Sequence, residues 1–341
     1  MTTQPTIRCA AIGLNHGHIY GQTNAMLKAG AELVWVYAKE SELVAQYTRV
    51  FPQVKVARSE EEILEDPSIH LVMSAAIPSE RAPLGVRVMK HGKDYMSDKG
   101  GPTTFEQLDE IRRVQKETGR IYSICFSERF ETGSTVKAGE LVKAGAIGKV
   151  VQTIGTGPHQ VGLHRRPEWF FQKKYVGGIL IDIASHQFDQ FLYFTGSTDA
   201  EIVGAQVGNF KHPQYPEFED FGDVMLTGNN GCGYIRVDWY TPDGLGVWGD
   251  GRLFVLGTEG YIELRKYIDV AGRPGKDHLI LVTQKETQYI DCSNVELPYG
   301  KQLSFDILNR TETAMSQEHC FKAAELALKA EAAAKRLGYL V

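Results

Sequence analysis

Runs of lysine and arginine are missing from this 341-residue chain, in which 37 basic residues stand against 42 acidic ones for a formal charge of −5. A nucleic-acid partner held through a basic patch is therefore disfavoured. Long apolar runs are missing too. The longest, Leu33 to Ala38 and Leu71 to Pro78, are strand-sized, far short of the roughly 20 residues of a membrane helix. Met1 to Ile7 lacks the basic flank and apolar stretch of a secretory leader, so the expectation is a cytoplasmic protein that engages no membrane. Cysteine is sparse: Cys9, Cys125, Cys232, Cys292 and Cys320 form no CxxC pair and have no histidine at metal-ligand spacing. They are expected to be reduced, structural thiols.

What is present is ordinary globular composition, 43% hydrophobic and 23% charged, over a length that favours two domains. From Thr6 to Ile124, apolar runs (Ile7 to Ile12, Leu33 to Tyr37, Leu71 to Ala76, Asp94 to Met96, Ile121 to Phe126) alternate with amphipathic stretches. That alternation predicts βαβ units, a parallel sheet and a Rossmann dinucleotide-binding domain over 1–124. Residues 125–341 read differently, with helices over 134–143 and 178–194 and then grouped strands. The expectation there is an α+β domain built on a large, mostly antiparallel open sheet that carries substrate and oligomer contacts. An open sheet face must be covered, which predicts a homodimer or homotetramer. The Ala-rich end, 313–337, carries Glu/Lys pairs at i, i+4 and predicts a long helix, packing back on the first domain.

The first strand runs into Gly13-Leu14-Asn15-His16-Gly17-His18, where a dinucleotide pyrophosphate would meet a helix N-terminus. The turn is a degenerate glycine fingerprint. Asn15 stands in for the second glycine, as a residue that tolerates left-handed backbone. His16 and His18, without a carboxylate or cysteine nearby in sequence, supply too few ligands for a metal, so no metal site is expected; they are read as lining the cofactor or capping the helix. After the second strand, Ala38 occupies the position of the usual ribose-binding acid. Lys39 and Ser41 follow it, which tilts the expectation from NAD toward NADP, with Glu40 as the competing ribose contact. Ala76 and Pro78, after the Leu71 run, complete the expected cofactor contacts. In the second half, Gly177-Gly178 leads into Asp182, His186 and Asp189 at i, i+4 and i+7. A carboxylate beside a histidine in an apolar helix fits a base that takes a hydroxyl proton.

The run Asp98-Lys99-Gly100, the Gly177-Gly178-x-x-x-Asp182-x-x-x-His186 helix, Phe126-Ser127-Glu128-Arg129-Phe130 and Gly257-Thr258-Glu259-Gly260 together resemble the Gfo/Idh/MocA oxidoreductase family across nearly the whole chain. The resemblance implies that Lys99 reaches nicotinamide and substrate, that His186 is the acid/base and that Asp182 orients it. It implies an NAD(P)-dependent dehydrogenase or reductase acting on a hydroxyl/carbonyl carbon of a sugar, polyol or sugar derivative. Asp98 replaces the family's Glu, Gly100 its Pro, Ser127 its Asn, and Arg81 stands where His is frequent, so the loop placing Lys99 is expected to differ in shape. Substrate contacts are assigned by position to Arg129, His159, Arg166 and Trp169, with Asp182 and His186. The same fold also admits an NAD-dependent glycosidase or a non-catalytic sensor.

Overall fold

The computed structural model describes residues 6–340; most of the leader reading (residues 1–5) lies outside the described residues. The chain divides into two compact units: residues 1–125 with 298–321, and residues 126–297 with 322–341.

In the first unit, β1 (Arg8–Ile12), α1 (His18–Lys28), β2 (Glu32–Tyr37), α2 (Ser41–Val50), β3 (Lys55–Val56), α3 (Glu60–Glu65), β4 (Leu71–Ser74), α4 (Pro78–Lys90), β5 (Asp94–Asp98), α5 (Phe105–Thr118) and β6 (Tyr122–Cys125) follow in order. The strands form an all-parallel sheet in the order β3-β2-β1-β4-β5-β6. Strand order reverses between β1 and β4, so a crevice opens beyond their carboxyl ends. β4 and β5 are buried throughout, as strands covered on both faces must be.

Local chemistry sets the ends of α5. Thr104 accepts from Gln107 N, and Gly119 closes the helix at φ 63. Leu108, Ile111 and Val114 make its buried stripe, each contributing roughly 1.5–3 kcal/mol. Pro83 lies inside α4 and cannot donate to the Ser79 carbonyl; the Gln107 side-chain amide does so instead, at 3.0 Å.

In the second unit, α6 (Ser127–Phe130) and α7 (Gly133–Lys143) precede β7 (Val150–Pro158); α8 (Lys173–Val176), α9 (Ile179–Asp182) and α10 (Ser185–Thr195) precede β8 (Ala200–Asn209), β9 (Phe221–Gly228), β10 (Gly231–Asp238), β11 (Arg252–Gly257), β12 (Gly260–Arg265), β13 (His278–Thr283) and β14 (Thr287–Asp291). α11 (Tyr299–Asn309) belongs to the first unit, α12 (Gln317–Ala333) runs across the boundary, and β15 (Lys335–Gly338) returns to the second. The nine-stranded sheet is ordered β14-β13-β12-β11-β7-β10-β9-β8-β15. It is mixed: β7–β10 and β8–β15 pair parallel and the other pairs are antiparallel. Gly155 and Gly157 let α10 lie close on β7, since a Cβ at Gly155 would stand 2.7 Å from Gln187 Cγ.

Two expected helices are corrected. The terminal helix ends at Ala333, and 335–338 is an edge strand pairing with β8. The helix expected over 178–194 is two helices. Its ladder slips where Ala184 N bonds Ile179 O and His186 N bonds Ile183 O, and the Ser185 hydroxyl takes up the Asp182 carbonyl at 3.1 Å. Asp182 and His186 therefore sit on successive helices, not one stripe.

Candidate active site

In the first unit the turn after β1 is stitched to both neighbouring strands. Gly13 N donates to Tyr37 O, Ala75 N to Gly13 O, and His16 N to Ala75 O, at 2.9, 3.1 and 2.9 Å. Gly13 has φ 77, and a Cβ there would stand 2.5 Å from Ala76 Cβ, so only glycine fits. Beside it lies a cavity of about 240 Å³ whose lining includes Gly13, Asn15, Ala38, Lys39, Glu40 and Ala76.

Asn15, expected to stand in for the second glycine in left-handed backbone, does not adopt that conformation. It works through its side chain, donating to Glu40 Oε1 at 2.8 Å. Lys39 Nζ is 3.4 Å from Glu80 and its side chain is 73% exposed. Ser41 opens α2, outside the cavity lining, and Pro78 is the buried first residue of α4. Gly17 precedes α1 at φ −63 with open space where its Cβ would be, so nothing there demands glycine.

No carboxylate or cysteine lies near His16 and His18 in sequence, but the fold brings a carboxylate to them from 80 residues away. Asp98, fully buried, receives His18 Nδ1 at 2.8 Å and lies 3.1 Å from His16 Nδ1, and the ligand atoms of all three fall within 4.8 Å of one another. Arg81 Nη2 lies 3.1 Å from the same carboxylate, so positive charge is already supplied. Burial would push the Asp98 carboxyl up. The Arg81 guanidinium and then the two imidazoles outweigh it and hold the carboxyl well below the usual range. The His16 ring, though 28% exposed, is crowded by protein on its other sides; that desolvation, then His18, lowers it to about 4. Lys99 is buried, and its main chain is fixed on both sides: Lys99 N donates to Asp98 Oδ1 at 2.7 Å and Lys99 O accepts from Arg81 Nη1 at 2.5 Å.

In the second unit Asp182 and His186 are both buried. Arg166 packs its guanidinium on the Phe170 and Trp239 rings, 4.3 and 5.0 Å from their centroids, and donates to Val161 O; burial lowers its pKa, opposed by the Asp182 charge. His159 lies between the Trp239 and Trp248 rings at 5.4 and 4.7 Å. Trp169 meets Phe170 edge-on. A cavity of about 420 Å³ opens beside Arg166, Phe171 and Tyr215. Arg129 is differently placed from its expected substrate role: it forms two 2.7 Å bonds to Asp189 inside the fold, and Asp189 thereby leaves the Asp182/His186 set.

Glu128, Lys266 and Gln190 are residues that sequence reasoning missed. Lys266 Nζ donates to Glu128 Oε2 and to Gln190 Oε1, whose amide donates to His186 O at 2.9 Å. Lys266 and the nearby His186 outweigh burial to bring the Glu128 carboxyl down to about 2. Their separations, 138 and 76 residues, left no local signal.

Residues 135–263 match the family model of the GFO/IDH/MocA C-terminal domain. The scyllo-inositol 2-dehydrogenase (NAD(+)) of Bacillus subtilis (strain 168) is 26% identical over 323 residues, 93% of this chain and 84% of that one. A crystal structure of a candidate oxidoreductase from Erwinia carotovora atroseptica is 49% identical, covering 98% of this chain and 100% of that chain, with TM-score 0.95. The fold is also that of levoglucosan dehydrogenase solved with NADH and levoglucosan, at TM-score 0.79 and 18% identity over 96% of this chain and 98% of that chain. With matches of this identity and coverage, the chain belongs to the Gfo/Idh/MocA family of oxidoreductases.

Proposed function

We propose that the chain transfers hydride between a nicotinamide dinucleotide and a hydroxyl/carbonyl carbon of a polyol, sugar or sugar derivative. The observation that carries this reading is the Gly13–Ala76 cradle, closed to any Cβ and opening on the 240 Å³ cavity at the sheet's switch point. The residues there fit a dinucleotide: Gly13 for close approach of a pyrophosphate, and Asn15 with Glu40 for a ribose. The dinucleotide, when bound, supplies the hydride chemistry.

Glu40 and Lys39 both line the cavity, but the Lys39 ammonium lies 3.4 Å from the Glu80 carboxylate, which offsets its charge, while Glu40 is held in place by Asn15. That arrangement favours ribose hydroxyls over a 2′-phosphate, and therefore NAD(H) over NADP(H), reversing the tilt read from Lys39 and Ser41. His186 takes or returns the hydroxyl proton, Asp182 sets its orientation, and the Lys99 ammonium favours the alkoxide-like oxygen. Arg166 and His159 remain proposed substrate contacts.

Binding of NADH and NADPH to the purified protein, followed by nicotinamide fluorescence and thermal shift, tests the reading. Tighter NADH binding, then NADH production from scyllo-inositol or levoglucosan, is expected. Folded protein that binds neither dinucleotide overturns it.

A further inference from the structure

Asp98 carries contacts from the glycine turn, 80 residues away in sequence, from Arg81 and from its own neighbour Lys99. Oδ1 accepts from His18 Nδ1 and from Lys99 N; Oδ2 lies 3.1 Å from both His16 Nδ1 and Arg81 Nη2. Arg81, itself 2% exposed, continues the chain of contacts: its Nε donates to Ala76 O, the residue against which Gly13 is wedged, and its Nη1 to Lys99 O. Both polar groups of the Lys99 main chain are thus held by groups that also touch the glycine turn or its abutment. Beyond Lys99 the chain turns through Gly100 and Gly101, at φ 89 and 68, the backbone region that glycine enters freely, and Gly101 is packed so close to Ile124 that a Cβ would stand 2.5 Å from its Cδ1.

We propose that Asp98, together with Arg81, is a positioning pair that transmits occupancy of the glycine turn to the main chain of Lys99. The pair fixes the Lys99 main chain at the point where it enters the two-glycine turn. A shorter acid at position 98 and two imidazoles in the turn become one device: the rings reach in where the carboxylate does not reach out. This inference rests on the dinucleotide reading.

The test uses ADP, which fills a pyrophosphate and ribose site but lacks the nicotinamide half, and amide hydrogen exchange of the full chain. In the unsubstituted protein, saturating ADP is expected to slow exchange in segment 13–18 and also in segment 97–101. In the Asp98→Asn protein, whose amide nitrogen cannot accept, segment 13–18 is still expected to be protected by ADP, while protection of 97–101 falls about tenfold or more. A merely stabilising role would raise exchange with and without ADP alike. If Asp98→Asn fails to fold, His18→Phe, at a side chain 33% exposed, is read in the same way. Protection of 97–101 by ADP that persists in the variant, or that is absent from the unsubstituted protein whose turn is protected, overturns the proposal. Protection of neither segment by ADP or NADH overturns the dinucleotide reading and this one with it.

Discussion

The Asn15 side-chain amide donates to Glu40 Oε1 across the end of the sheet, at 2.8 Å, joining the turn after β1 to the N-cap of α2. One carboxylate oxygen is thereby oriented, and under the proposed function the other meets a ribose hydroxyl. Glu40→Ala is expected to weaken NADH binding about tenfold, the size of a hydrogen bond to a charged group, and to narrow the gap to NADPH. Fluorescence titration of both nucleotides checks this; an unchanged ratio would remove Glu40 from cofactor choice.

Lys99→Ala and His186→Ala are each expected to lower turnover by about 10² or more while NADH still binds, the scale of lost acid/base or electrostatic assistance. Turnover near that of the unsubstituted protein in either variant contradicts the role proposed for that residue.

The Rossmann half was legible because its signals are local. Thr104 and Gly119 bracket an i, i+3 apolar stripe, and five apolar runs predicted five of the six strands; β3, only two residues long, gave no pattern. The open sheet was less legible. Its strands are expected only as a group, without order or partners, and Lys335–Gly338, which the composition assigns to the terminal helix, is strand only through its pairing with β8. At the candidate site, Gly13 was readable from its place after a strand, whereas the Asp98–His18 and Glu128–Lys266 pairs are made by tertiary folding of residues far apart in the chain.

Glu331 and Glu219 share Lys173, at 2.6 and 2.7 Å. Burial first, then the Glu219 charge, raises the Glu331 carboxyl to about 8 against the opposing pull of Lys173. Because the folded value lies above the unfolded one, the folded state binds the extra proton. This contribution to stability is present in full below the unfolded pKa and is lost as pH rises from there through about 8. Glu331→Gln should flatten the fall of Tm between pH 5 and 8, by on the order of 2 °C for each kcal/mol involved. Parallel Tm profiles for the two proteins would contradict it.

Arg129 and Asp189 are a buried bidentate pair, with Arg129 also stacked 4.1 Å from the Phe130 ring centroid. Removing the charge of one partner strands the other in the interior. Asp189→Asn is therefore expected to cost about 3–5 kcal/mol in urea unfolding. The KM for a turned-over polyol should stay put, because the pair is assigned to structure; a KM change without loss of stability would return Arg129 to the substrate contacts.

Across the sheet face opposite α10, Met225, Tyr234, Ile154 and Phe254 are successive cross-strand neighbours on β9, β10, β7 and β11. None of the four is fully buried, and Met225 is 57% exposed. Phe254 also stacks on Tyr261 at 4.9 Å. A continuous apolar row of this kind is costly to leave in water and is self-complementary under a two-fold axis. The 38.0 kDa chain is therefore expected to run as a dimer or larger in light scattering. Ile154→Lys places a charge at the centre of the row and should shift the mass toward the monomer while leaving NADH binding to the first unit within about twofold, since sites without shared partners act independently. A monomer mass for the unsubstituted chain at micromolar concentration would assign the face to some other cover.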